Sequence, residues 1–276
     1  MIYTFDDHYD KKTNLVNLRD TSYTSFHFPT VEGGPFKIDK VILPKTLKEI
    51  RPSSFSNIDV RVIVAEGIER IFADSFKNSS VEIIELSECK SLETIGKDAF
   101  RNSYIKVIKF PPSVKRLNAG AFENCEQLKE ITIPDSIKYI SNSVFQGCTA
   151  LESIKLPKNL EALESFVLAD CTSLNTLVIP DNVDEVTSYA LAGTNLEKLY
   201  LPKNLAFLSI EGFPKNIGEI HYSGNNESIL KVLESHCQNN GIKLMIENYD
   251  YILKNIENFS FKELNNAYKK ESELSL

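Results

Sequence analysis

No stretch of the chain approaches the roughly 18 consecutive apolar residues of a membrane-spanning helix. That excludes a helical membrane span. No G-x-x-x-x-G-K-[ST] or G-x-G-x-x-G run occurs, so the glycine-rich phosphate cradles are missing. G-x-S-x-G is missing as well, and with it the serine-hydrolase elbow. No two cysteines stand as C-x-x-C, and none of the four histidines (His8, His27, His221, His236) has a second one at i+3 or i+4. A redox pair and a helical metal pair are therefore excluded, and no cofactor is expected. A basic excess is lacking too: the net charge is −7, which argues against a general nucleic-acid binder. The first residues, MIYTFDDHYDKK, carry acids where a secretory leader needs basic residues and then an apolar stretch. The five cysteines are odd in number, which suits a reducing compartment. These two features predict a cytoplasmic protein, with cell surface or secretion as the alternative.

What is present is ordinary in bulk. The 276 residues are 42% hydrophobic and 25% charged, as in soluble globular proteins, and can bury the core of one large domain or two small ones. The order within them is not ordinary. Cys125, Cys148 and Cys171 are spaced by 23 and 23; Pro111, Pro134, Pro157 and Pro180 keep the same period, and Pro202 follows after 22. Counting from Pro134, apolar residues fall at Ile137, Ile140, Val144, Phe145, Leu151, Ile154 and Leu156. The same offsets from Pro111 and Pro157 are apolar as well, with Phe122 and Leu168 at the aromatic position. The pattern continues upstream as VILPKTLKEIRPSSF (41–55), VIVAEGIERIFADSF (62–76) and IELSECKSLETIGKDAF (84–100), and downstream as LYLPKNLAFLSIEGF (199–213) and EIHYSG (219–224). That makes about eight units and nine strands. Cys89 stands off the ladder because its unit carries extra residues, and Ala65 and Ser87 read as replacements for the proline.

One such unit cannot bury its own apolar face, whereas stacked units share a continuous core. In ITIP the alternation sends Ile131 and Ile133 inward and Glu130 and Thr132 outward, and the proline ends the strand because it has no N–H for the ladder. The units AFENCEQLKEITIPDSIKYI and VFQGCTALESIKLPKNLEAL resemble the BspA-like type of leucine-rich repeat over roughly residues 40 to 222. The resemblance implies an α/β-type repeat solenoid: a right-handed array with short parallel strands on one face, working by interaction rather than catalysis.

The expected organisation is an N-terminal cap over residues 1–36, repeats over 37–224 and a C-terminal helix–strand–helix segment over 225–276. IYTF and LVNL flank the polar DDHYDKKT and read as a hairpin with a solvated tip. Ile229, Val232, Leu233 and His236 share one face of a helix over 228–239, Gly241 is placed to stop it, and IKLMI (242–246) is expected to pair in parallel beside EIHY. The tail from Asn248 onward reads as helix, with capping-box spacing at Ser260 and Glu263, and either folds back on the array or serves as a partner-binding or dimerising helix.

The stacked cysteines could hold zinc or do redox chemistry, but they form an open ladder with no histidine near, so they read as small core residues. DDHYD lacks the alternate acids and sixth-position glycine of a calcium loop. Asp135, Lys158, Asp181 and Lys203 read as a charge ladder between units. A protein or peptide partner is expected on the outward rows of the strands. One row reads Ile42, Ile63, Glu85, Lys109, Thr132, Lys155, Val178, Tyr200 and His221, and its neighbour includes Lys40, Arg61, Ile83, Val107 and Lys198. Within these rows Ile42, Ile63, Ile83 and Val107 form an apolar patch, and Lys155, Lys198, Tyr200 and His221 a polar, aromatic one. The candidate partner-binding residues are Lys109, Thr132, Lys155, Val178, Lys198, Tyr200 and His221. The expected function is a non-enzymatic protein-binding scaffold, or else a repetitive surface or adhesion module of a larger exported or cell-surface system.

Overall fold

A computed structural model describes residues 9–22 and 37–246. Each unit contributes one front strand and, across the core, one two-residue back strand. The front strands from Ile38–Ile42 to Glu219–Tyr222 follow one another in parallel at the expected places. Pairing places them, together with Tyr9–Asp10, Leu15–Asn17 and Lys243–Met245, in sheets of six, two and four strands. Equivalent residues meet: Glu130 lies beside Ser153, Ile131 beside Ile154 and Thr132 beside Lys155. The inward side chains of each unit, such as Leu128, Ile131 and Ile133, join one cluster that runs the length of the described array.

The register of one strand differs from expectation. Val60–Val64 pairs so that Val62 adjoins Lys40 and Ile83, and Val64 adjoins Ile42 and Glu85. Ile63 is in the core, fully buried, and Arg61 pairs with Asp39 at 3.6 Å instead of standing in the neighbour row. Ala65 likewise occupies the core position of Leu43, so Glu66, not Ala65, stands where other units have proline. The cause is a one-residue difference in unit length: VIVA overlays VILP as a string, but the pairing follows a spacing of one residue more. A slip of one residue exchanges the faces of a strand.

The back row was not foreseen as strands. It runs as a five-stranded sheet from Glu49–Ile50 to Tyr139–Ile140 and a three-stranded one from Ala162–Leu163 to Phe207–Leu208. Two turn positions per unit adopt the left-handed conformation. The first row is Ser53, Asp74, Asp98, Gly120, Ser143, Phe166 and Tyr189, and the second is Asn57, Asn78, Asn102, Asn124, Gly147, Asp170 and Gly193. Asn and Gly suit such backbone; Phe and Tyr do not. In the second row the amides form a ladder, with Asn102 donating to Asn78 at 2.9 Å and Asn124 donating to Asn102 at 3.0 Å. Inside, Phe55, Phe76, Phe100, Phe122 and Phe145 stack ring on ring at 4.8–5.6 Å.

At the start of the described chain, Tyr9–Asp10 pairs antiparallel with Leu15–Asn17, which itself pairs in parallel with Ile38–Ile42. Tyr9 and Asp10 of DDHYD are thus strand, not tip, while IYTF lies outside the described residues. At the other end the helix Glu227–Asn240 begins at Asn226, whose side chain accepts from Ser228 N, and stops at Gly241, which is left-handed with φ 67°. Ile229, Leu233, His236 and Cys237 face inward. Lys243–Met245 then pairs in parallel beside Glu219–Tyr222, as the sequence predicts. His8, His27, the rest of the first 36 residues' expected cap and the expected tail helix with Ser260 and Glu263 lie outside the described residues.

Candidate functional site

The front rows carry the residues singled out from sequence. Lys109 and Thr132 are exposed, and Lys155, Val178 and Lys198 are half-buried. Tyr200 and His221 stand in the same row but are only 2% and 8% exposed, with their rings stacked at 4.4 Å. Strand alternation gives the side of the sheet a residue occupies; it does not give what packs over that side. The expected aromatic rim is therefore buried. Beside it Glu219 accepts from Lys243 at 3.4 Å and lies 3.9 Å from Lys198 and 3.1 Å from His221 Nε2. Burial works to raise the Glu219 carboxyl, but His221 and the two lysines outweigh it and hold the group below its usual value.

The apolar patch at the other end of the rows is made by Ile42, Val62, Ile83 and Val107, since the register brings Val62 out and Ile63 in; Val64 shares the outer side but is only 8% exposed. Next to Val107 a shallow groove of about 330 Å³ is lined by Lys106, Lys129, Glu130 and Glu152 among others. It carries charges of both signs, with Lys129 4.0 Å from Glu152.

The cysteines are not a reactive set. Cys125 donates to the Phe100 carbonyl at 3.0 Å, Cys148 to Phe122 at 3.2 Å and Cys171 to Phe145 at 3.2 Å. Each thiol thus ties its unit to the backbone of the unit before. Cys89, off the ladder, donates instead to the Ala65 carbonyl at 3.3 Å. Burial pushes Cys89 up to about 11 and Cys125 to about 12, and raises Cys148, Cys171 and Cys237 too. The thiolate is the nucleophile and the metal ligand, so these groups are kept in their inert form. All five are free and buried, so their number says nothing about the redox compartment, and that part of the case for a cytoplasmic chain falls. Among the described residues no group of three His, Cys, Asp or Glu side chains could hold a metal. No described helix is long and apolar enough to cross a membrane.

The ladder of Asp135, Lys158, Asp181 and Lys203 joins backbone donors to charge. Asp135 accepts from the backbone N–H of Lys158 at 2.8 Å, and Asp181 from that of Lys203 at 3.2 Å, with the Lys203 ammonium 3.4 Å away. Register is fixed by carboxylates on backbone donors.

Sequence reasoning passed over the back of the array. There Tyr139 is 56% and Phe207 52% exposed, and Phe166 and Tyr189 are each 37% exposed. Phe166 and Tyr189 lie parallel at 5.1 Å, 4° apart, both on left-handed backbone. The period held the clue: on it, Phe166 and Tyr189 occupy the turn position filled by Gly120 and Ser143.

Comparison with known proteins agrees with this architecture. No curated protein matches the sequence. Among solved structures the chain is similar to a leucine-rich repeat protein from Bacteroides ovatus, with 22% identity over 72% of this chain and 70% of that one and a TM-score of 0.43. A leucine rich cell surface protein from Faecalibacterium prausnitzii is 21% identical over 70% of this chain and 62% of that one, with a TM-score of 0.43. The pneumococcal vaccine antigen PcpA is 16% identical over 85% of this chain and 95% of that one, with a TM-score of 0.31. The family described as "BspA type Leucine rich repeat region (6 copies)" matches residues 34–151, 93–220 and 139–267. Those matches span most of the chain, and the ladders of apolar, aromatic and thiol side chains are what its repeat builds: the chain belongs to the BspA type of leucine-rich repeat proteins.

Proposed function

We propose that this protein is a repetitive binding module of the surface or adhesion type, which engages a protein or peptide through the front rows of its solenoid. The observation that carries the reading is the front face itself. It is a long, regular row of parallel strands that carries exposed Lys109 and Thr132 and half-buried Lys155 and Val178 at equivalent positions, with Thr132 paired to Lys155. An extended array surface of this kind is where solenoid proteins take their partners. Chemistry has little to work with beside it: the thiols are held protonated, and Glu219 is tied to Lys198, His221 and Lys243. Lys198 belongs at the margin of the surface, and Tyr200 and His221 serve it from beneath, by fixing the strands that carry it. The right-handed course that parallel crossovers favour is part of this reading.

The test is a charge reversal. Lys109→Glu with Lys155→Glu is expected to abolish retention of a partner first identified on the native protein, while the melting temperature stays within about 2 °C, as for surface changes worth under about 0.5 kcal/mol. Retention equal to that of the native protein would overturn the front face as the contact surface.

A further inference from the structure

The later units of the array differ in charge from the earlier ones. Residues 135–213 hold five lysines against ten carboxylates, whereas the preceding units balance their charges. Of those lysines, Lys155 and Lys198 are on the front strands and Lys158 and Lys203 follow the prolines, so Lys138, which precedes the back strand Tyr139–Ile140 and lies 3.8 Å from Glu161, alone adjoins the back strands. Apart from Tyr104, the exposed aromatics of the described chain gather in the same units. Along the outer row of the back strands the order is Tyr139, Ala162, Glu185 and Phe207, with Ala162 paired to Glu185 and Glu185 to Phe207. Two rings thus stand three rungs apart, ~14 Å at the usual strand spacing. Between them the row drops to a methyl group and one exposed carboxylate.

The neighbouring features repeat that combination. Tyr139 donates to Glu161 at 2.7 Å and Tyr189 donates to Glu211 at 2.9 Å, so each tyrosine ring ends on a carboxylate. Gly212 leaves room for Tyr189 to lie flat, since a Cβ there would strike the ring. We propose that this aromatic and acidic back face, centred on the notch between Tyr139 and Phe207, is a docking surface for a cationic polypeptide segment. A guanidinium fits the notch on both counts. Its planar face stacks on an aromatic ring, and its fork of donors matches a carboxylate. The face is distinct from the front rows, so it adds a second contact to the binding module.

The test uses the full chain and fluorescein-labelled octaarginine, followed by anisotropy. Binding is expected to weaken at least fivefold in Phe207→Ala and at least tenfold in Asp184→Asn with Glu185→Gln. It should stay within twofold of the native protein in Tyr104→Ala and in Glu88→Gln with Glu126→Gln. Those controls remove an exposed ring and two exposed charges from elsewhere in the array. Octaglutamate should not bind. Equal losses in the control pair would show a response to net charge alone and overturn the proposal. So would an unchanged affinity in Phe207→Ala, or displacement of octaarginine by a neutral hexasaccharide, which would assign the face to sugar. All replaced side chains are exposed, so a melting curve that matches the native one is expected for each variant.

Discussion

Cys148 shows how far a single residue can mislead. Set beside Gly147 and Thr149 it has the company of a nucleophile, yet it is fully buried and donates a hydrogen bond to the Phe122 carbonyl. Its period, one rung between Cys125 and Cys171, made the structural role legible from sequence; the hydrogen bond that explains why cysteine recurs there was not. A small thiol reagent is expected to label none of the five cysteines in the native protein and all five after unfolding. Rapid labelling of Cys148 in the folded state would sink the assignment. The raised thiols also make stability depend on pH. A group that binds its proton more tightly when folded stabilises the fold below its unfolded value and loses that contribution as pH rises toward its folded one. With Cys125 pushed up to about 12 from an ordinary 9, the loss runs between those two pH values. The slope is about 1.4 kcal/mol per pH unit for one such thiol. Denaturant melts of the native protein and Cys125→Ser between pH 9 and 11 should therefore converge as pH rises. Parallel curves would contradict the burial argument.

At the scale of the element, each unit is held by what repeats at its turns. The seven apolar offsets were legible because burial enforces them in every unit. The left-handed turns were not, because Ser, Phe and Tyr give no conformational signal of their own. Nor was the slip at Val60–Val64, where two aligned strings of β-branched residues differ by one in spacing. Phe100 sits in the middle of the stacked ring ladder and is fully buried, so Phe100→Ala is expected to cost about 3–5 kcal/mol. Gly147 has φ +71°, and a Cβ there would press on the Asn124 side chain, so Gly147→Ala should cost about 1–2 kcal/mol or more. Phe166 answers differently. Replacing it with glycine relieves about 1–2 kcal/mol of left-handed backbone. The change also forfeits a ring pair worth about 0.5–1.5 kcal/mol. The two nearly cancel, so Phe166→Gly should leave the denaturation midpoint almost unchanged. A loss of 3 kcal/mol would show that this exposed ring is structural, and would weaken the case that the back aromatics serve a partner.

For the molecule as a whole, the family and the array were written in the period, and the surfaces were not. Lys109, Thr132 and Lys155 were placed correctly on the outside because strand alternation holds from 130 to 133 and its equivalents. Tyr200 and His221 were placed on the right side and found buried, since one strand's pattern carries no information about what covers it. The back face went unseen because its rings are spread over four units and meet only through the stacking. On the proposed reading the faces of the solenoid, and not any group within it, perform the function. Site-specific photocross-linking tests this most directly, with a photoreactive residue placed in turn at Lys155 on the front, at Phe207 on the back and at Lys90 on an exposed turn, on protein applied to cells of its source. Covalent adducts to a discrete partner are expected from the first two positions and not from Lys90. Adducts from Lys90 alone, or none from either face, would contradict it.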